Sequence, residues 1–359
     1  MSEAASAETS AILLDQADRL FRQHVTKERL AEADGDAWPA AIWDAVVAAG
    51  LPLAMVPEAH GGVGLPAAEA MQLVCRSAWH TLPLPLAETM LAAALWAEAG
   101  GGVVAGALSL APANPDDNVT ICGQGAGYVL AGTARGVPWG NQVGHVLVLA
   151  RDESGAAFLA LLPRPGQNAA PHRNLAFEPR ETLKLDGTEL PAESVRPAGD
   201  TCADGMPALG ALVRAQQMVG AMERCLDYAL DYANQRKQFG RPIGKFQAVQ
   251  HMLAEGAGHY AAAAAAAEMA AEAFGTPGFD FAVAVAKARA GEAAGKVAEV
   301  AHQVHGAMGF TQEHPLHFAT RRLWSWRDEF GNEAYWQERI GRLVCARGGD
   351  ALWPLLVGA

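Results

Sequence analysis

The chain has 359 residues, of which 51% are hydrophobic and 18% are charged, and its formal net charge is −12. This length and balance predict a folded protein of two or three domains with a substantial buried core, and they exclude a disordered chain. The acidic balance argues against a general attraction to nucleic acid or to anionic membrane surfaces.

The five cysteines are widely scattered and form no C-x-x-C pair. We therefore expect reduced, mostly buried thiols, with neither a zinc ribbon nor a disulfide framework. The N-terminal segment lacks the basic and apolar parts of a secretion signal, and no stretch approaches the roughly 20 strongly apolar residues of a membrane span. These features predict a soluble, cytoplasmic protein that binds neither membrane nor nucleic acid.

The composition and apolar pattern of the chain change twice along its length. Residues from about 6 to 100 show helical, alanine- and leucine-rich segments that are interrupted by Gly and Pro. Short apolar runs then alternate with turn residues, which predicts strands at 128–131, 146–150 and 158–162. Helical patterns return after about residue 204. We therefore predict an N-terminal helical domain, a middle β domain and a C-terminal helical domain, over residues 1–102, 103–203 and 204–359.

The C-terminal third predicts at least three helices. The first carries one apolar stripe, spaced by three, four or seven residues, that predicts its buried face. Its members are Leu212, Val219, Met222, Leu226, Ala229 and Ala233. The second helix is expected from about Phe246 to Phe274 through an alanine tract, and the third from about Phe281 to His305.

A basic segment with two glycines follows the first of these helices, beginning Arg236-Lys237-Gln238-Phe239-Gly240 and continuing to Gln247. A guanidinium offers paired donors to phosphate oxygens, and the glycines allow the backbone to turn before the next helix begins. The N-terminus of that next helix would also favour an anion. The bland alternative is an ordinary helix end, in which basic residues complement the helix dipole.

A second segment begins at Gln303 and runs through Gly306 to Pro315. Both segments resemble motifs of the acyl-CoA dehydrogenase family, and so does the stretch from Leu51 to Leu65. The resemblance extends over almost the whole chain. The likeness is strongest in the C-terminal half, although Ala307 stands where the family has a second glycine. The paired histidines nearby, at 302 and 305 and at 314 and 317, are expected to be packing or solvated residues, not metal ligands.

The resemblance implies a mostly α, α+β fold, with N-terminal helices, a middle β-barrel or sandwich and a C-terminal four-helix bundle. It also implies FAD, an oligomer, and an electron-transferring flavoprotein as electron acceptor. In the family, the positions of Arg236, Gln238 and Phe239 contact the FAD pyrophosphate of an adjacent subunit, and those of Gln303 and Gly306 reach its adenine side. The implied reaction is α,β-dehydrogenation of an acyl-CoA, in which a carboxylate removes the Cα proton and a hydride passes from Cβ to flavin N5.

The chain departs from the family where the flavin ring and the catalytic base are expected. The family's flavin-binding loop has no counterpart within residues 108–117, and Gly136-Val137-Pro138 replaces a strand that flanks the ring. Phe330 stands at the position of the family's catalytic glutamate. Glu329 is therefore the candidate base, Asp328 is the alternative, and some relatives carry the base on an internal helix, where this chain has Glu268 and Glu272.

Three hypotheses remain open from the sequence. The chain is a self-sufficient acyl-CoA dehydrogenase, or a subunit that completes FAD sites housed mainly in a partner chain, or a helical assembly protein that has lost the flavin. Arg236 and Gln303 argue against the third. Arg214 is a candidate substrate-binding residue near the thioester or CoA, with a salt bridge at the surface as the alternative.

Overall fold

The computed structural model describes residues 3–35, 37–163, 169–202 and 205–357. The N-terminal part is helical, as predicted, and its five helices are α1 (Glu3–His24), α2 (Lys27–Asp34), α3 (Ala40–Ala48), α4 (Ala67–Trp79) and α5 (Leu86–Glu98). Between α3 and α4 the chain folds back on itself, and the amide of Leu65 donates to the carbonyl of Ala54. Gly62 is required there, because a Cβ would lie 2.1 Å from the carbonyl oxygen of Val56.

Nine strands of the described ranges form one mixed sheet after these helices. They are β1 (Leu108–Ala111), β2 (Val119–Gln124), β3 (Gly127–Pro138), β4 (His145–Arg151), β5 (Ala157–Pro163), β6 (Ala169–Arg173), β7 (Pro179–Lys184), β8 (Thr188–Pro191) and β9 (Val195–Pro197). The order is β6-β7-β3-β2-β4-β5-β9, while β1 pairs in parallel with β4 and β8 pairs with β3. The three predicted strands fall within β3, β4 and β5 and are confirmed. In the described strands the path stays open from β6 to β9, so the predicted barrel is corrected to an open mixed sheet.

The C-terminal part consists of long helices and one short hairpin. The helices are α6 (Met206–Gln235), α7 (Gln247–Glu272), α8 (Phe279–His305), α9 (Leu316–Trp326), α10 (Glu333–Arg347) and α11 (Leu352–Val357), and β10 (Lys237–Gln238) pairs with β11 (Arg241–Pro242). The helix α6 packs against α4, α7, α8 and α9, and all six residues of its predicted stripe are buried. The predicted second and third helices correspond to α7 and α8, so the mostly α, α+β fold class is confirmed.

One detail of the sequence-based picture changes. All five cysteines are free thiols, but Cys122 and Cys345 are exposed, so burial holds for only part of the set. Among the described helices, none combines the length and apolarity needed to cross a membrane. The expected domain boundary at residues 203 and 204 lies outside the described residues, and the division into three domains stays a prediction.

Candidate functional site

The hairpin after α6 projects into solvent. The amide of Arg236 donates to the carbonyl of Tyr232, which ends the helix, and the amide of Ile243 donates to the carbonyl of Arg236 and closes the hairpin. At its tip Phe239 has φ 51° and is 92% exposed. The side chains of Arg236 and Gln238 are exposed and make no hydrogen bond or ion pair with any described residue.

The turn after α8 is exposed as well. Gly306 ends that helix with φ 56°, and a tight turn then runs from Gly306 to Phe310. Gln303 lies on the last turn of α8 with an exposed side chain that bonds to none of the described residues. No atom would lie within 4 Å of a Cβ at Gly306, so its backbone is open to an approaching ligand. Phe310, at the end of the turn, is 75% exposed.

Ring contacts bring the hairpin and the turn together. The ring centroid of Tyr232, one helical turn before Arg236, lies 4.7 Å from that of His305, and the rings of Tyr228 and His314 are 5.3 Å apart. The exposed groups therefore share one surface, which we call the donor surface: Arg236, Gln238, Phe239, Gln303 and Gly306. A free guanidinium, two free amides and an open glycine backbone fit an ADP-like ligand such as the FAD pyrophosphate and adenine.

The histidines beside this surface are packing residues. The ring of His302 stacks on Phe310 with centroids 4.6 Å apart and on Trp324 at 5.6 Å, while His305 contacts His314 at 4.4 Å. Burial lowers the pKa of each of these histidines, that of His314 to about 4, so they are uncharged at neutral pH. Within the described ranges, no group of three or more potential ligands is arranged for a metal ion.

A cavity of about 310 Å³ lies between the sheet and the loop that joins α9 to α10, and we call it the 328–335 cavity. Its lining includes Asp116, Arg135, Gly136, Asp328 and Tyr335. Arg135 is paired with Asp117, its Nε lying 2.6 Å from Oδ1, so this cation is already neutralised. The volume is at the lower end of the range for small-molecule pockets.

The loop expected to contact a flavin ring is used internally. Ser109 is fully buried in β1, and its hydroxyl donates to the carbonyl of Pro138 at the end of β3. The following residues form an Asx turn, in which the amide of Asp116 donates to Asn114 Oδ1 at 3.0 Å. Asp116 therefore places its carboxylate in the lining of the 328–335 cavity. The buried hydroxyl of Ser109 already donates to a backbone carbonyl.

Glu329, the candidate base, is held by four hydrogen bonds at the edge of this cavity. Arg180 donates from Nε at 2.8 Å and from Nη2 at 2.9 Å, Arg214 donates from Nε at 2.7 Å, and Asn174 donates from Nδ2 at 3.0 Å. The two guanidinium groups outweigh the effect of burial and lower the pKa of Glu329 to about 2. By contrast, the carboxylate of Asp328 is exposed, lines the cavity and makes no hydrogen bond or ion pair with a described residue.

The bonds of Glu329 belong to a larger buried charge network. Arg214 Nη2 lies 2.8 Å from Glu88 Oε1 on α5, and Arg180 Nη2 lies 2.9 Å from Glu178 Oε2. Arg322 on α9 completes the set through Glu178, at 3.1 Å. Three arginines and three glutamates thus join the N-terminal helices, the sheet and the C-terminal helices. Arg214, the candidate substrate ligand, is 1% exposed and is paired with Glu88 and Glu329, so its salt bridges lie in the interior and not at the surface.

Two further residues shape the loop that carries Asp328 and Glu329. Phe330 has φ 55°, is 2% exposed, and packs so closely on α6 that a Cβ at Gly210 would lie 2.1 Å from its ring. Lys287 of α8 is buried beneath the loop and donates to the carbonyls of Arg327 and Gly331, both at 2.7 Å. Burial lowers the pKa of Lys287 to about 7.

The internal-helix glutamates lie elsewhere. Glu268 of α7 lines a different cavity of about 580 Å³, whose walls come from α1, α4, α6 and α7. Its lining also contains Asp15, Asp18 and Arg76, and none of the residues of the 328–335 cavity. Glu272 is exposed at the end of the same helix.

Sequence reasoning missed six members of these interactions: Glu88, Asn174, Glu178, Arg180, Arg322 and Lys287. Lys287 left a usable signal, because it lies on the same helical face of α8 as the small apolar residues Val283, Ala284 and Ala290. The others left none, since their partners are separated by up to 155 positions along the chain.

Comparisons with known proteins agree with these observations. The family model for the C-terminal domain of acyl-CoA dehydrogenases matches residues 207–343. The acyl-CoA dehydrogenase IpdE2 of Mycobacterium tuberculosis is 30% identical over 270 residues, which cover 75% of each chain. FadE27 of the same organism, also an acyl-CoA dehydrogenase, is 29% identical over 301 residues, 77% of this chain and 80% of that protein.

Two solved structures share the whole fold. The ChsE4–ChsE5 complex from Mycobacterium tuberculosis superposes with a TM-score of 0.84 at 26% identity, covering 95% of this chain and 97% of that chain. A steroid ACAD named Tcur3481–Tcur3483 gives a TM-score of 0.85 at 25% identity, covering 95% and 99%.

Proposed function

The chain belongs to the acyl-CoA dehydrogenase family, whose cofactor is FAD, and from that premise we propose that it is one subunit of a hetero-oligomeric dehydrogenase. The reaction is oxidation of an acyl-CoA thioester between Cα and Cβ. In this proposal the donor surface completes an FAD site that is housed mainly in a partner subunit. FAD supplies the acceptor for the two electrons that leave the substrate.

The observation that carries the proposal is the free state of the polar groups on the donor surface. Arg236, Gln238 and Gln303 are exposed and bond to none of the described residues, while Phe239 and Phe310 expose aromatic rings beside them. Exposed aromatic rings next to unpaired polar groups are typical of a surface that another molecule covers. Arg236 would hold the pyrophosphate through paired N–H groups, and Gln303 and the Gly306 backbone would bind the adenine side.

The state of Glu329 supports a partner-supplied base. A carboxylate with a pKa near 2 is a weak proton acceptor, because a general base works best with a pKa near the working pH. Moving Glu329 toward a substrate would also leave the buried cations of Arg180 and Arg214 without their anion. In this proposal Glu329 and Arg214 have a structural role, and the partner subunit removes the Cα proton.

The second candidate function is a self-sufficient dehydrogenase, and Asp328 is the observation that favours it. Its carboxylate is exposed, lines the 328–335 cavity and lacks a bonding partner among the described residues, as a base ready for substrate would. The rest of the cavity lining argues against this candidate. An anionic reduced flavin is stabilised by hydroxyl groups or free cations, whereas this lining offers the carboxylate of Asp116 and the neutralised cation of Arg135.

Two similar structures support the hetero-oligomeric arrangement, because each combines two named components, ChsE4 with ChsE5 and Tcur3481 with Tcur3483. One of them is called a steroid ACAD, so a bulky acyl-CoA such as a steroid side-chain thioester is the substrate class that we propose. An electron-transferring flavoprotein is the proposed acceptor.

The test is to purify the tagged chain alone and, separately, from its native cells under mild conditions. We expect the chain alone to hold far less than one FAD and to be inactive with an artificial electron acceptor. From native cells it should copurify with a second acyl-CoA dehydrogenase-like chain, with bound FAD and with activity. A stoichiometrically yellow single-chain protein that oxidises acyl-CoA unaided would refute the hetero-oligomer.

A further inference from the structure

The cavity of about 580 Å³ that Glu268 lines lies among α1, α4, α6 and α7, and we call it the α1–α7 cavity. Its apolar walls include Leu14 of α1, Ala68 of α4, and Ala264 and Ala271 of α7. The described residues that line it include no member of the donor surface or of the 328–335 cavity. Its volume lies within the range of small-molecule sites. The cavity is therefore large enough for a ligand and separate from the proposed FAD site.

Ion pairs of α1 and α4 form one polar side of the α1–α7 cavity. Arg76 of α4 donates to Oδ1 of Asp18 on α1, and His80 Nε2 lies 2.9 Å from the same oxygen. These two partners outweigh the effect of burial and lower the pKa of Asp18 to about 2. Asp15, the other α1 carboxylate in the lining, is paired with Arg19 at 2.7 Å. The guanidinium of Arg76 and both α1 carboxylates therefore already have partners inside the protein.

A buried amide of the lining keeps a free acceptor. Gln216 of α6 is 7% exposed, and its Nε2 donates to the carbonyl of Ala267 at 2.8 Å. Its Oε1 accepts no hydrogen bond from a described residue, yet this atom is not sealed from solvent. Because Gln216 lines the cavity, the oxygen is open toward it. A ligand that carries an N–H donor would supply the missing hydrogen bond.

The carboxylate of Glu268 adjoins this amide. Glu268 directly follows Ala267, whose carbonyl accepts the bond from Gln216, so both side chains reach the cavity from neighbouring positions. Glu268 is exposed and makes no hydrogen bond or ion pair with a described residue. Burial raises the pKa of Cys75, in the same lining, to about 12, so this thiol is uncharged. The charged group of the lining that lacks a described partner is therefore an anion.

We propose that the α1–α7 cavity binds a small primary amine that carries an apolar chain. The ammonium group donates to the carboxylate of Glu268 and to Oε1 of Gln216, while the chain packs on the apolar walls. An ammonium has three N–H donors and no acceptor, so it is complementary to two free acceptors. An anion of the same size would be repelled by Glu268. This site is independent of the function proposed above.

Calorimetric titration of the full-length chain with n-hexylamine, n-hexanol and hexanoate tests the proposal. The three probes have similar chains and differ in the charge of the head group. We expect saturable binding of hexylamine at low ionic strength, weaker binding of hexanol and no binding of hexanoate. Salt should weaken the binding of hexylamine, because it screens the attraction to an exposed carboxylate. Failure of hexylamine to saturate the chain at millimolar concentration, or equal binding of the three probes, overturns the proposal.

Two glutamates of α7 provide a matched pair of variants. Glu268 and Glu272 are both exposed and bond to none of the described residues, but Glu268 lines the cavity and Glu272 does not. Glu268→Gln should weaken hexylamine about two- to fivefold, the usual range for an exposed ion pair, and Glu272→Gln should leave its affinity unchanged. Equal affinity of the two variants would rule out the ammonium site.

A second matched pair locates the apolar chain. Ala264 lines the cavity and is half-buried, whereas its neighbour Ala265 is exposed and lies outside the lining. Ala264→Leu should fill the space and abolish saturable binding of hexylamine, while Ala265→Leu should leave it unchanged. Leucine is a strong helix former, so both variants are expected to fold, which circular dichroism checks. Unchanged hexylamine binding by folded Ala264→Leu would show that the amine binds elsewhere and overturn the proposal.

Discussion

The donor surface and the 328–335 cavity contain polar groups in opposite states. On the donor surface Arg236 and Gln303 are exposed and bond to none of the residues that the structure describes, whereas Glu329 beside the cavity is bonded to Arg180 and Arg214. A free group can bind a ligand at the cost of its hydration alone. A saturated buried group can change partners only by leaving a charge uncompensated. The motifs that this chain shares with the family therefore carry polar groups that bond to no described residue. By contrast, its candidate base Glu329 is bonded inside the protein.

Replacing Glu329 by Gln is the strongest test of this contrast. Removing the anion leaves Arg180 and Arg214 as buried, uncompensated cations, so we expect a loss of about 3–5 kcal/mol in the free energy of unfolding. Denaturant unfolding followed by circular dichroism measures this loss. A Glu329→Gln protein of unchanged stability that assembles normally but lacks activity would instead identify Glu329 as a catalytic base.

The pH dependence of the free energy of unfolding is an independent test of the same charge network. The pKa of Glu329 is about 2 in the fold against an ordinary 4.5, so its contribution is complete above pH 4.5 and is lost as the pH falls toward 2. The unaltered chain should therefore lose about 3 kcal/mol more than Glu329→Gln between pH 5 and pH 2. Urea unfolding across this range measures it, and parallel pH profiles would contradict the assignment.

Arg236→Ala tests the other side of the comparison. Loss of a paired, charge-assisted contact to phosphate should weaken FAD retention in the assembled complex by about 1.5–3 kcal/mol, roughly ten- to a hundredfold. Flavin absorbance after gel filtration measures retention. Arg342→Ala is the control, because Arg342 is a highly exposed arginine on α10 whose ion pair is with Glu338. Equal FAD content in both variants would show that the donor surface does not bind the pyrophosphate.

The same contrast explains what could be predicted from the sequence. Local periodicity was sufficient for α6, α7, α8 and the strands β3 to β5, because each depends on apolar spacing within a short stretch. The exposed segments at Arg236 and Gln303 could be recognised because their residues are contiguous. The charge network could not, since Glu88 and Arg214 meet only when the N-terminal and C-terminal helices have packed together. Phe330 signalled only that the usual glutamate was absent, not that its ring would fill the space over Gly210.

Asp328→Asn is expected to have the smallest effect and separates the two candidate functions. The side chain is exposed and makes no hydrogen bond or ion pair within the described ranges, so stability should change by less than about 0.5 kcal/mol. If the partner supplies the base, kcat of the assembled enzyme should also stay within about twofold, because an exposed carboxylate in a cavity without substrate has no step to perform. A general base typically contributes about 10²–10⁴-fold, so a fall in kcat of that size, at unchanged FAD content, would assign the proton abstraction to this chain and make the 328–335 cavity its own active site.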